Sequence, residues 1–141
     1  MTVSDSIGEG RFFEKNTSST TVEIPVGRIL EYDSSDDLVL PTTTINVDQL
    51  AGVSASKVAA RTTATKKKIV VQVYGLTHIC CAANAGFGVG KLVRATEAGR
   101  AAAAALATTI TGTALAACIG RVVEKDATTT GTTILVALNL G

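Results

Sequence analysis

The residues best suited to chemistry lie in one stretch, Leu76-Thr77-His78-Ile79-Cys80-Cys81-Ala82-Ala83-Asn84, which holds the only histidine of the chain and two of its three cysteines. A zinc site needs converging nitrogen and sulfur ligands, usually four in a tetrahedron and often supplied as Cys-x-x-Cys pairs. His78 and Cys80 would share one strand face and Cys118 could approach from elsewhere, but there is no Cys-x-x-Cys pair and the ligand set is short. The thiols are therefore expected to be reduced, small and buried. No metal, cofactor or nucleotide is expected. A single His without a nucleophile at a matching spacing also leaves no catalytic residue to assign.

Three other stretches invite chemistry and fail on spacing. Asn84-Ala85-Gly86-Phe87-Gly88-Val89-Gly90-Lys91-Leu92 looks like a phosphate-cradling loop. Such a loop needs Gly five residues before its Gly-Lys and Ser or Thr after it, whereas Ala85 and Leu92 stand there. Asp33-Ser34-Ser35-Asp36-Asp37 offers three carboxylates but lacks the ligand order of a calcium loop, and is expected to be a solvated turn. Lys66-Lys67-Lys68 leads into an apolar strand and is expected to guard it against edge pairing.

What must position these residues is a β framework that occurs twice. Val26-Gly27-Arg28-Ile29-Leu30 matches Val89-Gly90-Lys91-Leu92-Val93, an offset of 63 from Gly27 to Gly90. Ala51-Gly52-Val53 matches Ile119-Gly120-Arg121, with Gly52 to Gly120 offset by 68, and Ile69 matches Ile134 at 65. Each copy runs from an apolar-Gly strand through a polar connection to a β-branched strand. The expected fold is all-β, a compact β-barrel or β-sandwich of residues 22–141 built from two related halves, about 22–75 and 76–141. Ala101-Ala102-Ala103-Ala104-Ala105-Leu106-Ala107 has strong helix propensity, yet its counterpart near Leu38 contains Pro41 and β-branched residues, which favours strand.

Residues 1–21 stand before the repeat as an extended, polar N-terminal arm carrying Phe12-Phe13, two of only three Phe in the chain. Adjacent aromatics on such an arm are candidate anchors in pockets of another molecule. They would equally serve an arm folded back on its own barrel.

Composition narrows the function. Thirteen Lys and Arg against twelve Asp and Glu give a net charge of +1, far from the excess a phosphate backbone requires, so nucleic acid is not expected as a partner. Ala101 through Gly120 lacks charge, but it is mostly Ala interrupted by Thr and Gly, and no membrane span is expected. The start, Met1-Thr2-Val3-Ser4-Asp5-Ser6, has neither the basic residues nor the apolar run of an export signal.

The order Val89-Gly90-Lys91-Leu92-Val93, Glu97-Ala98-Gly99, an Ala-rich strand, Ile119-Gly120-Arg121-Val122-Val123-Glu124 and Ile134-Leu135-Val136-Ala137-Leu138 resembles the head-decoration, or capsid cement, proteins of tailed bacteriophages. The resemblance spans Val22 to Gly141. It implies a non-catalytic virion protein made in the host cytoplasm, which binds the major capsid protein on the outer surface of an icosahedral head as a homotrimer and stabilises it. Phe12 and Phe13 are the candidate capsid-binding residues. A carbohydrate- or cell-surface-binding β-barrel is the alternative, disfavoured by the absence of Trp and the scarcity of other aromatics for stacking on sugars.

Overall fold

The computed structural model describes residues 10–42, 49–82, 88–104, 118–125 and 133–140. Within them, alternation of aliphatic and polar residues makes strands with one buried face. In Thr133–Asn139 the side chains of Ile134, Val136 and Leu138 point inward while the ends are exposed. Among the described residues there are nine strands: β1 Arg11–Asn16, β2 Ile29–Tyr32, β3 Leu38–Val39, β4 Leu50–Ser54, β5 Lys68–Cys80, β6 Leu92–Ala95, β7 Ala101–Ala103, β8 Cys118–Lys125 and β9 Thr133–Asn139. A 3₁₀ turn spans Glu97–Gly99. The strands make one antiparallel sheet in the order β3-β2-β4-β5-β9-β8-β6-β7, with β1 also on β5. The sheet curls toward a barrel, so the expected all-β class is the observed one.

The ladders of the two stretches correspond pair by pair. Leu30 pairs with Gly52 and the ladder bulges before Glu31; Val93 pairs with Gly120 and the ladder bulges before Arg94. Ser54 faces Val71 as Val122 faces Val136. Tyr32 faces Leu38 as Ala95 faces Ala101. Even the five-residue turns agree. Asp33 N–H donates to Asp37 O and Asp36 N–H to Asp33 O, just as Thr96 N–H donates to Arg100 O and Gly99 N–H to Thr96 O. Asp36 and Gly99 both sit at positive φ, 62° and 72°.

One expectation needs correction. Residues 11–16 are extended, but they do not stand outside the repeat. β1 lies along the first part of β5, with Phe13 opposite Val71 and Lys15 opposite Ile69. β9 pairs with the second part, with Thr77 opposite Val136 and Ile79 opposite Ile134. Because Ile69 and Val71 correspond to Ile134 and Val136, β1 is the counterpart of the second half of β5. Each repeat is thus a five-stranded unit, and the 13-residue β5 closes the first and opens the second. The joint is Tyr74, which pairs with both Arg11 and Asn139, next to a register shift between Arg11 and Phe12. Repeats beginning with β1 and within β5 replace a boundary at Val22.

Parallel bridges curl each unit in the same way, Thr17 to Leu38 in the first and Cys81 to Ala101 in the second. Their interiors are equivalent. Leu30, Leu38, Ala51, Ile69 and Val71 share one buried cluster; Val93, Ala101, Ile119, Ile134 and Val136 belong to the other. Ile29 and Val53 of the first repeat also belong to the second cluster, so apolar burial joins the two units.

Pairing also explains the alanines. Ala101–Ala103 form a strand against their helix propensity because Val93–Ala95 supply a ladder and the pairing buries Ala95 and Ala101 opposite each other. The remainder of the Ala-rich stretch, 105–117, lies outside the described residues, as do the glycine-rich 83–87, 43–48 and the connection 126–132.

Candidate attachment surface

β1 carries the two phenylalanines in adjacent positions, and a strand sends neighbours to opposite faces. Phe13 turns inward and packs, half-buried, against the first core cluster. Phe12 turns outward and is 51% exposed. The two expected anchors are therefore separated by the sheet. Phe13 serves its own barrel, the second of the two roles open to the arm, and Phe12 remains available to a partner.

Two residues not singled out in the sequence join Phe12. Tyr74, at the joint of the repeats, is 47% exposed, and the Arg11 guanidinium lies 5.6 Å from its ring centroid. Exposed aromatic and arginine side chains are the types enriched in protein interfaces. The joint is held from beneath by Gln72, which is buried opposite Phe12. Its Nε2 donates to the carbonyls of Tyr74 and Leu76, both at 3.0 Å, satisfying backbone oxygens where the ladder shifts. The segments approach closely here, since a Cβ on Gly75 would lie 2.9 Å from the Gly10 Cα. The signal available in the sequence was Gln-x-Tyr-Gly, a polar residue and a glycine interrupting an apolar strand.

The residues first considered for chemistry differ in their exposure. His78 is exposed on β5, Cys80 and Cys81 are buried, and Cys118 is half-buried on β8. Burial pushes the Cys118 thiol up, opposed by the nearby Arg121 charge. Among the described residues no three His, Cys, Asp or Glu side chains come together as metal ligands. No helix among them is long and apolar enough to cross a membrane.

The acidic turn is occupied internally. Asp33 Oδ1 accepts from Ser35 N–H at 2.8 Å and Asp37 N–H at 3.0 Å. The Asp37 backbone bond, foremost, and then that of Ser35 hold its carboxyl below the usual range against some desolvation. Asp37 in turn binds Lys66 at 2.6 Å. This corrects the role given to the lysine run, because β5 is flanked by β1, β4 and β9 and is not an edge to be guarded.

A cleft of about 640 Å³ opens beside β3, bordered by Thr20, Ile24, Glu31, Leu38, Pro41 and Glu97. Its described lining has hydroxyls and two carboxylates but neither His nor Cys.

No family model and no curated protein matches the chain. Among solved structures, its fold is similar to that of the N base of head fiber gp8.5 of bacteriophage phi29. The TM-score is 0.57, over 93% of this chain and 97% of that one, at 14% sequence identity. The likeness establishes a shared fold across nearly the whole length of both chains.

Proposed function

We propose that this chain is a structural virion protein of a tailed phage. It attaches to the outer surface of the icosahedral head by contact with the major capsid protein, as a homotrimer, and reinforces the head without catalysis. The observation that carries this reading is the near full-length fold shared with the base of a phage head fiber. It is supported by the exposed Arg11, Phe12 and Tyr74 side chains at the repeat joint. Multiple copies would let modest contacts add through avidity.

The test is sedimentation of purified protein with undecorated heads, beside a glycan-binding assay. Saturable pelleting with heads and no glycan binding supports head attachment. Protein that stays in the supernatant yet binds a glycan supports the alternative of a carbohydrate-binding barrel.

A further inference from the structure

The two repeats meet through different surfaces. On the first, Gly27 lies against β5: Cys80 N–H donates to Gly27 O at 2.9 Å, and a Cβ on Gly27 would lie 2.9 Å from His78 O. The Glu97–Gly99 turn covers the neighbouring backbone, Ala98 N–H donating to Pro41 O at 2.9 Å and Arg28 Nη1 to Ala98 O at 3.0 Å. Ile29 and Val53, paired on β2 and β4, are buried in the cluster of the second repeat. The first repeat thus supplies a receiving face and the second an edge that docks on it.

Each surface recurs at the other end of the molecule, uncovered among the described residues. Gly90, Leu92 and Arg121 repeat Gly27, Ile29 and Val53. The first three are exposed, half-buried and exposed, whereas the second three are all buried. Leu92 and Arg121 border a recess of about 370 Å³. Glu14 and Asn16 of β1 repeat His78 and Cys80, and both are exposed. Thr17 N–H donates to Lys67 O, so the Asn16 N–H before it points away from β5. On that side β1 has no strand partner among the described residues, and an open edge is a template for pairing with another chain.

Charge also fits the two ends to each other. Arg121 stands where Val53 does, and its Nη1 donates to Gly90 O at 2.9 Å, the carbonyl equivalent to the one that accepts from Cys80. Glu14 stands where His78 does and pairs with Lys68 at 3.6 Å, both side chains exposed, a contact that exchanges readily. Lys91 and Asp36 likewise stand where Arg28 and Gly99 do. The fit is looser than within the chain, because a Cβ on Gly99 would run into Ile29 O and Asp36 carries one.

We infer that these surfaces bind each other between copies of the chain: the β1 edge of one copy docks on the Gly90, Leu92 and Arg121 face of the next, repeating the joint between repeats. Asn16 N–H takes the place of Cys80 N–H at the carbonyl, and the displaced Arg121 pairs with Glu14. Such a contact is head-to-tail and closes into a ring where the rotation per copy permits. It names the surfaces that join the copies of the homotrimer, and rests on that reading for the number three alone.

Sedimentation velocity of the full chain over a concentration series tests the joint. The wild type should associate into a closed trimer. Glu14→Arg and Arg121→Glu should each weaken association about a hundredfold, since either sets like charges together, and should leave the melting temperature of the dilute monomer unchanged. Combining the two reversals should restore association. A wild type that stays monomeric or stops at a dimer overturns the joint, as does association indifferent to both reversals or a double variant that does not recover. A larger ring keeps the joint and removes the number three. Head sedimentation separates this joint from attachment. If trimers form but heads do not pellet them, the joint stands and the attachment reading falls. If heads pellet a chain that is monomeric in solution, attachment stands and the joint falls.

Discussion

Gly27 and Gly90 hold the same backbone conformation, φ of 80° and 84°, and make the same hydrogen bond, N–H to Ser54 O in one repeat and to Val122 O in the other. Their surroundings differ. A Cβ on Gly27 would lie 2.9 Å from His78 O, whereas one on Gly90 would meet nothing within 4 Å. Gly90→Ala should therefore cost only the left-handed penalty, about 1–2 kcal/mol. Gly27→Ala adds a backbone clash and should cost more. Chemical denaturation of the two variants checks the order, and equal losses would show that the contact with His78 is dispensable.

Gly52 and Gly120 form a second equivalent pair, but their constraint is room. At Gly120 a Cβ would run into the Ala137 carbonyl, and at Gly52 it would lie 2.5 Å from the Gln72 carbonyl. Neither obstacle is a flexible side chain. Gly120→Ala should destabilise by about 3 kcal/mol, at the upper end of ordinary overpacking, measurable as a lowered denaturation midpoint with unchanged slope.

The two phenylalanines should part company on mutation. Phe13→Ala removes a half-buried ring from the first core and should cost about 2–3 kcal/mol, below the range for a fully buried Phe. Phe12→Ala should change stability by less than about 0.5 kcal/mol but weaken head binding. Deleting residues 1–21 should unfold the first repeat, since it strips β1 from β5. Circular dichroism with head sedimentation distinguishes the outcomes; a truncated chain that melts like the full one would place β1 outside the folding unit.

The sequence made the middle of each repeat legible because its constraints are chemical. Gly27 and Gly90 are needed for their φ, Gly52 and Gly120 for close strand approach, and Ile69 and Ile134 for the interiors. The first strand was not legible. Arg11-Phe12-Phe13-Glu14-Lys15-Asn16 shares no residue with its counterpart Gly75-Leu76-Thr77-His78-Ile79-Cys80. Either strand needs only backbone pairing and one inward aliphatic or aromatic side chain, so many sequences satisfy it. The exposed cluster at the repeat joint was half legible. Phe12 stood out by its rarity, while Tyr74 acquires meaning only once β5 is known to change partners there.

The Asp33 turn gives the fold a pH dependence whose sign follows from its bonds. Its folded-state carboxyl lies below the ordinary 3.8, so its contribution is present above that pH and is lost as pH falls through the lower folded value. Lys66, held above its ordinary 10.5 chiefly by its hydrogen bond to Asp37, acts in the opposite direction. Its contribution is present below that value and is lost as pH rises through the higher folded one. Stability should thus hold level between these limits with respect to this turn. Asp33→Ala should lower it by about 1 kcal/mol at neutral pH and flatten the acid limb, read from urea midpoints across pH. An acid limb identical in wild type and Asp33→Ala would remove the turn from the account.

Cys118, half-buried with its thiol pushed up by burial, and the buried Cys80 and Cys81 should resist alkylation in the folded protein at neutral pH. Mass spectrometry after iodoacetamide should find slow labelling confined to Cys118, and rapid labelling of all three in denaturant. Fast native labelling of Cys80 or Cys81 would contradict the core described for the second repeat.

Attachment to a phage head is tested most directly by cryo-electron microscopy of heads incubated with the purified protein and compared with undecorated heads. The account predicts added density on the outer surface in threefold sets, into which the two-repeat sheet fits with Arg11, Phe12 and Tyr74 turned toward the shell. Heads that show no added density at saturating protein, or density only inside the shell, would contradict it.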